Sequence, residues 1–259
     1  RWYWHAPLLM NHQTLYPGFW YSESQLSQAK FKPDWAGGAG RDEYGLYADA
    51  IIAGITQRFR WIEPTSFMMG SPESEDGRHT GEKQHRVILT RGYWLADTAC
   101  TQALWQAVMY WSVSDFRGKQ LPVENVSWED VQDFLKQCNN SHPQLQLRLP
   151  TGAEWENACR AGTTGAFNFD GNLLLEKVNY SGFGQNIIME YAKGAKQQTA
   201  AVKSYPPNAW GLYEMHGNVW EWCQDWYGDY PSGVVIDPQG PESGDGRELR
   251  GGSWDFDGK

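Results

Sequence analysis

The part of the chain that follows Gly162 constrains the fold most, because it is long and contains few periodic segments. Glycine, asparagine, tyrosine and proline dominate this part, and only brief strands are predicted in it. The whole sequence of 259 residues holds 15 Trp and 28 Gly. Bulky indole side chains are suited to filling the spaces between loops. The sequence therefore predicts an irregular, loop-rich fold that needs something beyond secondary structure to hold its loops.

Three helices are marked by capping residues in the first part of the chain. Thr101 is the predicted N-cap of a helix that continues to Met109. Residues 127–130 (SWED) have capping-box spacing, and residues 151–154 (TGAE) repeat it, with Gly162 as the predicted stop of that last helix. The second helix has an apolar face made of Val131, Phe134, Leu135 and Cys138.

Short strands are predicted before these helices. Residues 47–55 and 57–62 form two strands around a turn at Gly54, and residues 86–90 (RVILT) form another. The run at residues 37–40 (GGAG) favours a loop or linker.

The chain is divided into two predicted parts: an aromatic, loop-rich N-terminal extension at residues 1–58 and a domain at residues 59–259. The sequence begins with arginine and lacks a signal-peptide pattern, so we expect it to be a piece of a longer, multidomain polypeptide. No stretch approaches the roughly 20 apolar residues of a membrane span. A cytoplasmic location is favoured.

The charge balance excludes one class of partner. Acidic residues outnumber basic ones by 31 to 22, which gives a net charge of −9. Nonspecific affinity for nucleic acid comes from lysine and arginine on phosphates, so we expect no nucleic-acid partner. The balance is compatible with binding of a hard cation. The four cysteines lie far apart, without zinc spacing, and are predicted to be buried free thiols in a reducing compartment.

The segment with the most chemistry is residues 211–222 (GLYEMHGNVWEW). Glu214 and Glu221 bracket a turn in which Gly217 allows the backbone to fold tightly. Two carboxylates together with turn carbonyls are the hard oxygen ligands that Ca²⁺ takes. Spacing alone leaves a second interpretation open, in which both acids are solvated and the tryptophans are core residues.

This segment closely resembles the GLYxMxGNVWEW signature of the formylglycine-generating-enzyme family, also called the sulfatase-modifying factor family. Further blocks that resemble the family occur in its order: residues 67–71 (FMMGS), 93–105 (YWLADTACTQALW), 122–128 (PVENVSW), 148–160 (RLPTGAEWENACR), 204–208 (SYPPN) and 249–254 (LRGGSW).

The resemblance implies an α+β fold of the C-type-lectin-like kind, with two main helices, small antiparallel sheets and extensive irregular loops. It also implies a structural calcium site formed by the side chains of Glu214 and Glu221 and the carbonyls of Gly217 and Val219. The family's second calcium site would involve Asn179 and the carbonyl of Tyr180 as ligands. Residues 194–198 (GAKQQ) carry no carboxylate to complete this site.

The resemblance implies no catalytic residue within this chain. Catalytic members use two cysteines that bind copper(I), and the family places them after the GGSW block. No cysteine follows Cys223, so copper is expected only if a segment beyond Lys259 carries the pair. The histidines lack the spacing of the iron-binding triad found in a second enzymatic branch.

Two main functions remain from the sequence, beside a structural or regulatory role within a larger multidomain protein. The first is a noncatalytic domain that recognises a protein, peptide or glycan ligand on a calcium-stabilised scaffold. It would resemble the bacterial variable proteins of diversity-generating retroelements, a further branch of the family. The second is an oxidoreductase of the formylglycine-generating type, with its active-site cysteines beyond residue 259.

Overall fold

A computed structural model of the chain describes residues 4–5, 8–10, 32–75, 78, 80–169, 174–181 and 197–256. The strands are β1 (Trp4–His5), β2 (Leu9–Met10), β3 (Ala36–Asp42), β4 (Gly45–Ile52), β5 (Ile55–Ile62), β6 (Thr65–Met69), β7 (His85–Leu89), β8 (Tyr93–Ala96), β9 (Leu147–Arg148), β10 (Trp220–Trp226), β11 (Val234–Ile236) and β12 (Arg247–Arg250). The helices are α1 (Gln102–Met109), α2 (Trp128–Ser141) and α3 (Gly152–Arg160).

The largest sheet has six strands in the order β3-β4-β5-β8-β2-β9. The expectation of a loop at residues 37–40 is wrong, because these residues lie in β3 and pair with β4. Glycine is needed there for packing: an added Cβ would lie 2.8 Å from the Ile51 side chain at Gly37 and 2.7 Å from the Tyr47 hydroxyl at Gly40. The large side chains of β4 thus occupy the space above β3.

The boundary predicted between residues 58 and 59 falls inside β5. This strand pairs antiparallel with β4 from Tyr47↔Arg60 to Ile52↔Ile55, and with β8 on its other side. Residues 36–62 therefore form one continuous three-stranded ribbon within the sheet. The division into an extension and a domain stays a prediction.

All three helices begin at the residues that the sequence predicts. The side chains of Thr101, Ser127 and Thr151 accept hydrogen bonds from backbone N–H groups in the first turn. Both predicted capping boxes are formed, and α3 ends in the left-handed residues Ala161 and Gly162. The α+β class is confirmed.

Two apolar clusters stabilise the fold. The first packs the inner face of the large sheet against α1 and α2, and in it the rings of Trp105 and Phe134 stack with centroids 4.9 Å apart. The second lies between α3, β7 and β10 and includes Trp155, Met215 and Cys223. The second cluster includes Leu212 and Met215, so it anchors the segment at residues 211–222 to the core.

Two three-stranded sheets complete the architecture, in the orders β1-β10-β12 and β11-β7-β6. Each combines a parallel pair with an antiparallel pair. The pairing of β10 with β12 is interrupted between Trp222 and Trp226. Among the described residues, no helix has the length and apolar character needed to cross a bilayer.

The loop between α1 and α2 encloses a buried carboxyl group. Glu124 is fully buried, and its Oε1 accepts a hydrogen bond of 3.0 Å from the N–H of Phe116. Its Oε2 has no hydrogen-bond partner. Burial raises the pKa of Glu124 to about 7, although the backbone N–H groups of Phe116 and Asp115 act in the opposite direction.

We predict that Glu124→Gln stabilises the protein more at pH 8 than at pH 5. Because the pKa of Glu124 in the folded state lies above its usual value of 4.5, the wild-type protein loses stability as the pH rises from about 4.5 through about 7. Glutamine does not titrate, so the difference in Tm between variant and wild type should grow with pH. Thermal unfolding at both pH values measures this, with the exposed Glu73→Gln as control. Parallel curves for Glu124→Gln and wild type would contradict the assignment.

Candidate metal-binding turn and adjoining cavity

The segment at residues 211–222 winds through a series of left-handed backbone conformations. Glu214, Gly217 and Asn218 have φ angles of 50°, 73° and 65°. Glycine is required at position 217, because an added Cβ would lie 2.3 Å from the carbonyl oxygen of Asn179. This close approach brings the segment against residues 178–181.

Glu214 is buried at the start of this turn. Its Oε2 accepts a hydrogen bond of 3.1 Å from the N–H of Lys203, and its Oε1 accepts one of 3.3 Å from the N–H of Tyr205. Burial raises the pKa of Glu214 to about 7, the backbone N–H groups oppose the rise, and the charge of Glu221 adds to it. The charge of Glu221 therefore contributes to the raised pKa of Glu214, but less than burial does.

Glu221 is also buried, with 5% of its surface exposed. Its Oε2 accepts a hydrogen bond of 2.5 Å from the indole N–H of Trp155 on α3. The interpretation of both glutamates as solvated surface acids is wrong, because the second apolar cluster and the loop at residues 203–205 cover them.

Asn218 connects three loops at the centre of the site. Its Oδ1 accepts hydrogen bonds from the N–H of Ala200 and from the Asn179 amide, and its Nδ2 donates to the carbonyl of Ala200. The N–H of Asn218 donates to the carbonyl of Asn179 at 2.8 Å. These bonds hold the turn, residues 178–181 and residues 197–200 together.

The residues expected to form a second calcium site lie next to this network. Asn179 and Tyr180 are buried, and the Asn179 amide donates to the carbonyl of Gln198 at 2.9 Å. Residues 194–196 of the GAKQQ segment lie outside the described residues. The Nδ2 of Asn179 thus joins two loops by hydrogen bonds. The role of the Asn179 residue as a calcium ligand stays a prediction.

The chemistry of the turn fits a hard cation. Within the described part of the chain, no group of three or more His, Cys, Asp or Glu side chains converges on one point. A site here would therefore combine Glu214 and Glu221 with backbone carbonyls, and carbonyl-rich coordination is typical of Ca²⁺. Burial is the main cause of the raised pKa of Glu214, with the charge of Glu221 adding to it, and a divalent cation would compensate the negative charge of both groups.

A cavity of about 330 Å³ opens beside the turn. It extends from the turn at Gly217 and Trp220 to α3 and to the strand end at Arg250. The sequence interpretation did not identify this cavity, because its walls come from six separate parts of the chain. The one local signal was the i, i+4 pair of Glu156 and Arg160, which are 2.8 Å apart on α3.

Cys159 is the cysteine that lines this cavity, and its sulfur lies 3.6 Å from Nε2 of His216. Burial raises the pKa of the Cys159 thiol far above its usual range, and burial lowers the pKa of His216 to about 4. Both groups are therefore neutral near pH 7. All four cysteines are free and buried, as the sequence predicts.

A sequence model described as a Sulfatase-modifying factor enzyme 1-like domain matches residues 55–259. The chain belongs to this family. The formylglycine-generating enzyme of Mus musculus is 37% identical over 222 residues, which cover 81% of this chain and 57% of that protein. The corresponding enzyme of Streptomyces coelicolor is 38% identical over 147 residues, which cover 54% of this chain and 45% of that protein. The match thus spans about half the length of these relatives.

The fold is similar to that of a solved structure, Treponema denticola variable protein 1. The TM-score is 0.67 with 27% sequence identity, and the match covers 82% of this chain and 88% of that chain. The family resemblance and the C-type-lectin-like fold expected from the sequence motifs are confirmed.

We predict that Gly217→Ala lowers the free energy of unfolding by about 3 kcal/mol, because a left-handed alanine is strained and its Cβ meets the Asn179 carbonyl. Gly233→Ala is a matched control, since Gly233 also has a positive φ of 93° but nothing lies within 4 Å of an added Cβ. We expect a loss of about 1 kcal/mol there. Urea denaturation measures both, and equal losses would contradict the close contact at position 217.

Proposed function

We propose that this domain is a noncatalytic ligand-recognition module, in which a calcium-stabilised turn supports a binding cavity. The observation that carries the proposal is the position of the cavity. Gly217 and Trp220 of the turn form part of its wall, so any ion that orders the turn also orders the cavity. Ligand sites of this size are commonly preformed clefts lined by aromatic and polar groups.

The side chains of Glu214 and Glu221 and the carbonyls of Gly217 and Val219 would hold the calcium ion. Calcium supplies positive charge and oxygen coordination that order a loop, without a redox step. The backbone N–H groups of Lys203 and Tyr205 orient Glu214, and the indole of Trp155 orients Glu221.

Recognition is favoured over catalysis by the state of the cavity's own groups. Burial raises the pKa of the Cys159 thiol, which makes it a poor nucleophile at neutral pH. Neutral His216 accepts a hydrogen bond of 3.2 Å from the N–H of Asn168, which fixes it in the wall. The similarity to a variable protein of Treponema denticola supports the same function. The partner would be a protein, a peptide or a glycan.

A second function is supported by one observation, the 37% identity with the mouse formylglycine-generating enzyme over 81% of this chain. In that case the full-length protein would oxidise a cysteine of a protein substrate to formylglycine, with copper bound by cysteines outside residues 1–259.

Arrays of immobilised peptides and glycans test the proposed function. We expect binding of at least one class to the wild-type domain and its loss in Gly165→Trp, which places an indole in the cavity wall at an open position. Gly246→Trp is the matched control, because Gly246 lies outside the cavity and has open space around it. Equal binding by both variants would contradict recognition by this cavity. Copper-dependent conversion of a cysteine peptide by the full-length protein would establish the second function instead.

We predict that removing calcium with EDTA lowers the Tm of the wild-type domain, because Ca²⁺ binds the folded turn and hardly binds the unfolded chain. A ratio of free calcium to Kd of 100 corresponds to about 2.7 kcal/mol of stabilisation. Glu221→Gln keeps an acceptor for the Trp155 indole but removes the charge, and it should make the Tm insensitive to EDTA. A wild-type Tm that is the same with EDTA and with added calcium would contradict the site.

A further inference from the structure

The cavity contains two guanidinium groups, and each nitrogen of the first donates a hydrogen bond within the protein. Arg160 donates from Nε to Glu156 at 2.8 Å, from Nη2 to the carbonyl of Gly70 at 2.9 Å and from Nη1 to the carbonyl of Gly165 at 3.0 Å. Its charge is paired with that of Glu156.

The second guanidinium, that of Arg250, is held between two carboxylates. It lies 2.6 Å from Glu248 and 3.1 Å from Glu156, and it also donates to the hydroxyl of Tyr230. The two arginines and the two glutamates therefore form a closed network of zero net charge. Among the described residues that line the cavity, both arginines are therefore paired with carboxylates.

The rim of the cavity carries negative charge. Glu75 and Glu82 both line it, and both are partly exposed. Glu82 accepts a hydrogen bond of 3.1 Å from the hydroxyl of Ser71. Within the part of the chain that the structure describes, no ion pair joins either carboxylate to a cation. Arg78, from the same loop, directs its Nε to the carbonyl of Ser71 and does not line the cavity.

Aromatic rings form much of the remaining wall. Trp220 and Phe256 meet edge to face with centroids 5.1 Å apart, and Phe167 packs edge-on against the ring of His216. Phe256 is 38% exposed, which leaves ring surface open to a ligand. The face of an aromatic ring attracts cations, and this attraction increases where water is excluded.

We propose that the cavity binds an organic cation, an ammonium or guanidinium group, with the Glu75 and Glu82 carboxylates at the rim and aromatic rings in the wall. This inference rests on the proposed recognition function and specifies the chemical class of the ligand. It differs from general recognition because it requires a positive charge on the group that enters the cavity.

Matched pairs of small probes test the proposal by calorimetric titration at low ionic strength. Choline is compared with its neutral isostere 3,3-dimethylbutanol, and Nα-acetyl-arginine amide with Nα-acetyl-citrulline amide. We expect each cation to bind about tenfold more tightly than its neutral partner. A preference for choline indicates a small quaternary ammonium compound as the natural source, and a preference for the arginine probe indicates a side chain in a peptide.

Variants assign the binding to this cavity. We expect Glu75→Gln with Glu82→Gln to weaken cation binding about tenfold, and Gly165→Trp to abolish it. Glu73→Gln with Glu242→Gln is the matched control. These two exposed glutamates lie outside the cavity, and replacing them removes the same net charge as the Glu75 and Glu82 double variant. Equal effects of the two double variants would overturn the proposal, as would failure of both cations to bind. If the neutral probes bind as well as the cations and Gly165→Trp blocks them, the cavity recognises ligands but the cation proposal is wrong.

Discussion

Two carboxylates buried in one turn, those of Glu214 and Glu221, are the constraint on which the second half of the molecule depends. Each is held by a part of the chain distant in sequence: Glu214 by the backbone at residues 203–205, and Glu221 by the indole of Trp155. Burial raises the pKa of Glu214 and the charge of Glu221 adds to that rise, so a proton or a cation at the turn would lower the cost of burying both groups. Asn218 joins this turn to residues 179 and 200 through its hydrogen bonds.

The sequence predicts the parts of this fold that depend on local chemistry. The caps at Thr101, Ser127 and Thr151 act within four residues, so their spacing alone locates the helices. The strand at residues 37–40 was missed because the glycines there are explained by side chains on the neighbouring strand, Tyr47 and Ile51. Local propensity favoured a loop, and packing across the sheet overrode it.

The candidate metal-binding turn and the cavity also differ in how far the sequence predicts them. The turn is one continuous segment, and its glutamates and glycine could be interpreted from their order and from the family resemblance. The cavity depends on long-range pairs such as Arg250 with Glu156, which are 94 residues apart. No periodic pattern connects such residues, so only the folded structure brings them together. The charge of the cavity, with paired arginines inside and glutamates at the rim, was likewise not accessible from the sequence.

The proposed role of the turn requires a bound ion, and the amount of calcium bound per chain tests this most directly. Calorimetric titration of Ca²⁺ into protein stripped of metal should show one saturable site at the turn. Replacing both Glu214 and Glu221 with glutamine should remove that site. Absence of saturable binding by the wild-type protein, or the same stoichiometry in the double variant, would contradict the claim that these two carboxylates bind the ion that supports the cavity.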